Sequence, residues 1–429
     1  MIRLTITTIA LLLCSNLFAA PAKNMAKIPP NIVPNTSLEG KWMIGYQAWF
    51  RTPSDGTNLH WQHYSGGRNP SAEGMVVDLW PDTTEFPEEI KDLVPGFFHP
   101  NGEQAYLYSS TRPEIIDTHF KWLKEYDIDG VWLQRFVVGL PGEKLEGNYP
   151  IFNAIMDNVV ASAKKHGRVW GINFDPAGGV KETLYDAVTK EWKRMVDEGY
   201  TKPENRYIQH NGLPVVHIWS LHNKGDNFTP TTPEVALKLM QFFNAEGPYQ
   251  AFLISGATWP WAREKDPEYM ELKANMKAVI PWNTGHAPQG ADGIKRAGTG
   301  HWAKDKEFAE DNNILWIPVL YPGFTWKNMN RYRKDAEVYI DRRKGEFLWE
   351  QFVATHKIGA ETIMLGMLDE VDEGSAFFKI SPEPPTQAHF VGTDGMPSDW
   401  WLQLVREARR IYRTGEEMPA TIPLNPASK

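Results

Sequence analysis

The chain has 429 residues and a formal net charge of −8, and 42% of its residues are hydrophobic. That length exceeds a small module and suits one large barrel domain or two ordinary ones, and the apolar share supports a sizeable core and argues against disorder. With this acidic balance nothing in the sequence suggests the basic face that a nucleic-acid partner usually needs, while 18 Trp, 15 Tyr and 20 Phe point to flat apolar faces of the kind on which sugar rings stack.

Residues 1–22 read as an export signal. Arg3 supplies the positive charge, 4–18 is almost free of charge, and Ala20-Pro21-Ala22 is a small-residue cleavage pattern. The apolar stretch is too short and wrongly flanked for a spanning helix, and no other long apolar run follows, so no membrane span is expected. Periplasmic or extracellular localisation follows. Cys14, the single cysteine, lies inside this segment. A lipoprotein anchor there is the less favoured alternative, because Leu13 is a poor residue to precede a lipidated cysteine. After cleavage at Ala22 the mature chain would hold no cysteine, and so no disulfide, thiol nucleophile or Cys-ligated metal. Residues 23–40, with Pro29, Pro30, Pro34 and Asn35, read as a linker, 41–415 as a single catalytic domain and 416–429 as a tail.

From residue 42 onward, apolar runs alternate with segments of helical period. The pattern predicts strands at 42–50, 129–137, 168–175, 213–220, 250–256, 277–282, 314–320 and 361–368. Helices are predicted at 113–126, 150–166, 181–198, 233–245, 266–276, 304–311 and 345–357, with Thr232 as N-cap of the fourth. Repeated βα alternation with apolar strands is the sequence form of an α/β fold. Eight units favour a (β/α)8 TIM barrel. The alternative, an open doubly wound sheet, lacks its Gly-rich fingerprint after the first strand. The interval 51–128 is too long for one connection and reads as an elaborated loop on the catalytic face. Its segment 75–80 is strand-like and is the alternative candidate for a barrel strand.

A barrel places its active site at the C-terminal ends of its strands. The polar and aromatic residues there are Tyr46, Gln134, Arg135, Asp175, His217, Trp219, Trp259, Trp282 and Tyr321, joined by His60 and Trp61 from the long loop. The last strand runs into Asp369-Glu370-Val371-Asp372-Glu373-Gly374-Ser375, with four carboxylates in five residues. In a helical turn, residues three apart share a face, with roughly 5–6 Å between Cβ atoms. Glu370 and Glu373 then face one pocket and Asp372 points elsewhere. Paired carboxylates roughly 5–5.5 Å apart serve retaining glycoside cleavage, and a wider separation serves inversion. Crowding raises one pKa, which yields an acid and a base at one pH. The bland alternative is a solvated acidic loop, against which stands the apolar run Leu365, Met367, Leu368 leading into it. Asp369, Asp372 and Glu373 lack the alternating spacing of a Ca²⁺ loop. The 12 histidines form no HExxH pair, and no GxSxG elbow is present. No metal and no cofactor are expected.

Tyr46-Gln47-Ala48-Trp49-Phe50, His60-Trp61-Gln62-His63-Tyr64, Asp78-Leu79-Trp80-Pro81, Asp129-Gly130-Val131 with Gln134-Arg135-Phe136, and Glu370-Val371-Asp372-Glu373-Gly374-Ser375 together resemble glycoside hydrolase family 99 and its 71/99-like relatives. The resemblance covers most of residues 41–380, and its most specific part is the E-x-x-E-G-[TS] signature. It implies a (β/α)8 barrel with retaining endo-α-mannosidase or endo-α-mannanase activity. By motif position it implies that Glu370 takes the proton of the sugar's own 2-hydroxyl, giving an epoxide-like intermediate. Glu373 protonates the leaving oxygen and then acts as base, and Tyr46 lines the pocket. The family usually has Asn before the first Glu and Trp-His between the pair, where this chain has Asp369, Val371 and Asp372.

The expectation is thus a secreted, monomeric glycoside hydrolase whose partner is a mannan-like polysaccharide or oligosaccharide. The alternatives are a non-catalytic glycan-binding protein on the same barrel, a glycosidase of this fold with a non-mannose polysaccharide, and a Ca²⁺-dependent lyase or hydrolase using Asp369 and Asp372.

Overall fold

The computed structural model describes residues 29–222, 229–329 and 339–426. The expected signal segment with Cys14 lies outside the described residues, as do 23–28 of the linker and 427–429 of the tail.

Eight apolar segments form the strands: β1 (Trp42–Tyr46), β2 (Gly130–Phe136), β3 (Val169–Asp175), β4 (Leu213–His222), β5 (Phe252–Thr258), β6 (Ala278–Trp282), β7 in two pieces (Leu315–Trp316 and Val319–Leu320) and β8 (Ile363–Leu365). Neighbours pair in parallel and in chain order, and β8 returns to β1 with Trp42 opposite Ile363. The circle closes through β7. Its first piece pairs with β6, Leu315 opposite Ala278, and its second with β8, Val319 opposite Met364. Pro318, which has no N–H to donate, lies between the two pieces. This is a (β/α)8-type barrel, not the open sheet. Segment 75–80 is not one of its strands: Val76 donates to the Tyr64 carbonyl, and Asp78 and Leu79 donate to Val371.

Strand alternation sends every second side chain inward. Met43, Trp132, Val215, Ile254, Ile280, Val319 and Met364 fill the barrel. The intervening residues pack outward against α1 (Pro113–Glu125), α2 (Tyr149–His166), α3 (Lys181–Asp197), α4 (Pro233–Asn244), α5 (Pro267–Ala274), α6 (Trp302–Asp311) and α7 (Glu346–Lys357). Thr232 caps α4 by accepting from the Val235 N–H, and Asp266 caps α5 by accepting from Glu268.

One helix was not read from the sequence, α8 (Trp400–Thr414). It clasps the N-terminal end of the barrel. Arg409 donates to the Gly40 carbonyl and pairs with Asp129, which also accepts from the Trp42 N–H at 2.8 Å. Arg413 grips both oxygens of Asp127, at 2.7 and 2.8 Å. At the opposite end, the 51–128 interval carries an antiparallel hairpin, Lys91–Phe98 against Gln104–Tyr108. Tyr64, Leu79, Trp80, Phe86 and Tyr108 in this interval are buried with the main core.

Candidate active site

The C-terminal mouth of the barrel opens into a cleft of about 510 Å³. Six residues expected from the sequence line it: Glu370, Glu373, Gln134, Asp175, Trp219 and Trp282. Trp219 and Trp282 meet edge to face with centroids 6.5 Å apart.

Glu370 is 4% exposed. Its Oε1 accepts from Gln47 Nε2 and its Oε2 from Ser375 Oγ, both at 2.6 Å. Burial, aided by the Asp372 charge, pushes its pKa up to about 7, against the lowering effect of the Ser375 and Gln47 hydrogen bonds. Glu373 is more open to the cleft. Residues 371–374 form a turn rather than a continuing helix, and it brings both glutamates to one wall. The turn is braced from two sides. The Glu373 carbonyl accepts from Thr325 N–H at 2.9 Å, and Arg342 donates to the carbonyls of Gly374 and Ala376 at 2.8 and 2.9 Å. Buried Asp78 holds the strip behind it, accepting from Thr325 Oγ1, Lys327 N–H and Asn328 N–H at 2.7–2.9 Å. Gly374 has φ +62°, and a Cβ there would lie 2.3 Å from Thr325 Cγ2, which explains glycine after the second glutamate.

Asp175 is the third carboxylate of the cleft. It accepts from Gln134 Nε2 and from the Ala177 N–H. Burial pushes its pKa up to about 6. Four further aromatic rings line the cleft, those of Trp49, Phe136, Phe324 and Trp326. Trp49 stacks on Phe136 at 5.1 Å on one side and on His63 at 3.8 Å.

The other expected residues lie elsewhere, for identifiable reasons. Tyr46 does not line the cleft. It falls on the outward parity of β1, fully buried, and its hydroxyl meets His119 Nδ1 at 2.8 Å. Its neighbour Gln47 takes the inward place. Arg135 likewise points outward, to Glu191 at 2.7 Å, while Gln134 points in. Tyr321 packs on Phe347 and donates to the His286 carbonyl. Asp369 accepts from the N–H groups of Gln47 and Ala48 at 2.9 and 2.8 Å, tying the end of β8 to the end of β1, and burial pushes its pKa up to about 7. Asp372 turns back toward His63 Nδ1, 3.8 Å away. His217 points into the barrel but is fully buried beside Trp132, below the cleft. His60 and Trp61 belong to the outer turn of the long loop, where Trp61 is core. Trp259 lines an adjoining cavity of about 570 Å³ that shares Gly285 and His286 with the cleft.

Sequence reasoning missed Trp49, Phe136, Thr284, Phe324, Trp326 and Met367 on the cleft wall. For Phe136 the signal existed, since it shares parity with Gln134. Phe324 and Trp326 lie in a connection that no periodicity marks. Among the described residues no group of three or more His, Cys, Asp or Glu is placed to hold a metal ion, and no helix is long and apolar enough to cross a membrane.

Carboxylates and aromatic faces at the mouth of an eight-stranded barrel suit the processing of carbohydrate, and a likeness to glycoside hydrolase family 99 supports that class. No protein-family model matches the chain. The glycoprotein endo-α-1,2-mannosidase of Xenopus laevis is 20% identical over 409 residues, spanning 92% of this chain and 80% of that protein. The glycoprotein endo-α-1,2-mannosidase-like protein of Homo sapiens is 23% identical over 377 residues, spanning 84% and 73%. The solved GH99 endo-α-mannosidase from Bacteroides thetaiotaomicron superposes with a TM-score of 0.64 at 16% identity, covering 88% of this chain and 99% of that one. The chain is therefore GH99-like in sequence and shares that barrel fold.

Proposed function

We propose that the chain is an exported, retaining, endo-acting glycoside hydrolase of the endo-α-mannosidase type, acting on an α-linked mannan-like glycan through Glu370 and Glu373. The observation that carries this reading is the joint placement of the two glutamates on one wall of an aromatic-lined cleft, beside Asp175. The GH99 likeness supports the type of linkage, and residues 1–22 support export.

Glu370 is suited to be the base. Each of its oxygens accepts one hydrogen bond from a fixed neutral donor, and a pKa near 7 matches proton abstraction at neutral pH. It takes the proton of the sugar's 2-hydroxyl as that oxygen closes on C1. The C1–O bond to the leaving group breaks, and Glu373 gives its proton to the departing oxygen. Water then attacks C1 of the epoxide-like intermediate. Glu373 takes the water's proton, and Glu370 returns its proton to O2. Two inversions at C1 leave the configuration retained. Asp175 and the Trp219 and Trp282 faces orient the ring through hydroxyl hydrogen bonds and stacking.

The test is a polysaccharide panel given to wild type, Glu370→Gln and Glu373→Gln. Wild type is expected to cleave α-mannan, with a loss on the order of 10²-fold or more in each variant. Normal cleavage by both variants overturns the pair, and cleavage of a different polysaccharide alone overturns the mannan assignment.

A further inference from the structure

Next to the cleft, and sharing Trp49 and Phe136 with it, is a second, smaller cavity of about 140 Å³, lined also by Arg51, Gln62, His63 and Asn148. No carboxylate lines this cavity, although the chain is acidic overall and three carboxylates line the cleft next to it.

Arg51 is 1% exposed. Its Nη1 donates to the Ala48 and Phe50 carbonyls at 3.1 and 2.8 Å, and its Nε is buried with no acceptor. The indole N–H of Trp49 is also buried with no acceptor. Arg168, as deeply buried, spends its donors on the carbonyls of His166, Ile128, Pro30 and Asn31, and the other buried arginines have a counter-charge or an aromatic face. Arg135 pairs with Glu191, Arg413 with Asp127 and Arg409 with Asp129, and Arg342 lies 4.4 Å over the face of Trp401. Among the described residues Arg51 has neither kind of partner, and Asp55 acts on it only through space. Burial lowers its pKa only to about 10, so it stays charged at neutral pH. A buried guanidinium without a counter-charge is costly, and its planar donors fit the oxygens of an oxyanion.

We infer that this side cavity is an anion-recognition site that receives a charged substituent of the glycan, namely a sulfate ester, phosphate ester or carboxylate, while the sugar chain lies in the cleft. The source of the anion rests on the glycan reading above. The fit of the cavity to an oxyanion does not.

The test is calorimetric binding to the uncleaving Glu370→Gln chain, with an α-manno-oligosaccharide, its chemically sulfated counterpart and inorganic sulfate as probes. The sulfated oligosaccharide is expected to bind at least about tenfold tighter than the neutral one, the scale of hydrogen bonds to a charged group. Adding Arg51→Met removes that ratio and Arg51→Lys keeps part of it. Because Arg51 is buried, a second variant guards against misfolding. Leu145→Glu, at a rim position 50% exposed, sets a carboxylate at the cavity mouth and also removes the ratio. Equal affinity for both oligosaccharides, or a preference that survives Arg51→Met and Leu145→Glu, overturns the site. Arg51-dependent binding of inorganic sulfate without that preference overturns the glycan-borne source and leaves a free-anion site. If neither oligosaccharide binds, the glycan reading of the cleft fails, and inorganic sulfate alone decides whether the cavity takes an anion.

Discussion

Glu370 shows how burial and a few neighbours together set the chemistry of a carboxylate. Its pKa lies near 7 because burial and Asp372 raise it while Ser375 and Gln47 hold it down. As a base it works when ionised, so activity should climb as pH rises through about 7. Gln47→Leu removes one stabilising donor, and the acid limb of the pH–rate profile should then move to higher pH. An unmoved limb would mean that Gln47 does not tune the base. Asp175 gives a stability prediction with a definite sign. Its folded pKa of about 6 lies above its ordinary 3.8, so its contribution is full below that ordinary value and is lost as pH rises through 6. Asp175→Asn cannot ionise. Its stability relative to wild type should therefore improve from pH 4 to pH 8, by up to roughly 3 kcal/mol, as read by denaturant unfolding at both pH values.

The turn at 371–374 is the element on which the site depends. Gly374→Ala forces a Cβ against Thr325 at a left-handed φ, with an expected cost of roughly 1–3 kcal/mol and a fall in kcat with little change in KM, because the Glu373 carbonyl is held by that same Thr325. Steady-state kinetics and denaturant unfolding on one preparation test both. At this scale the sequence was legible where periodicity is strong. The apolar runs marked all eight barrel strands, and the acidic run marked the turn that follows the last one. It was less legible where a one-residue parity decides the outcome. Tyr46 and Gln47, or Gln134 and Arg135, are adjacent polar positions, and only the pleat tells which faces the cleft. Phe324 and Trp326 were invisible for a different reason. They reach the cleft from the connection after β7, where Phe324 pairs with Ile340 and the path depends on Asp78, about 250 positions earlier in the chain.

Across the whole molecule, α8 locks the end of the barrel remote from the cleft, and its amphipathic pattern went unread because it lies beyond the last strand. Arg409→Met should leave Asp129 buried and without its cation, destabilising the fold by about 3–5 kcal/mol. The pH–rate profile of the folded fraction should stay in place, since the cleft lies at the other end. A shifted profile would show that the two ends are coupled. The split of β7 has a different consequence. β2 and β3 share a seven-position register, whereas the circle is completed by two positions on β6 and two on β8, on either side of Pro318. That joint is the zip of the cylinder, and it ends where the Gly366 N–H donates to the Leu320 carbonyl. Amide hydrogen exchange should be faster along 315–320 than along β2 and β3. The joint that completes the fold is thus also its most lightly stitched seam, with fewer paired positions than any other pair of neighbours in the circle.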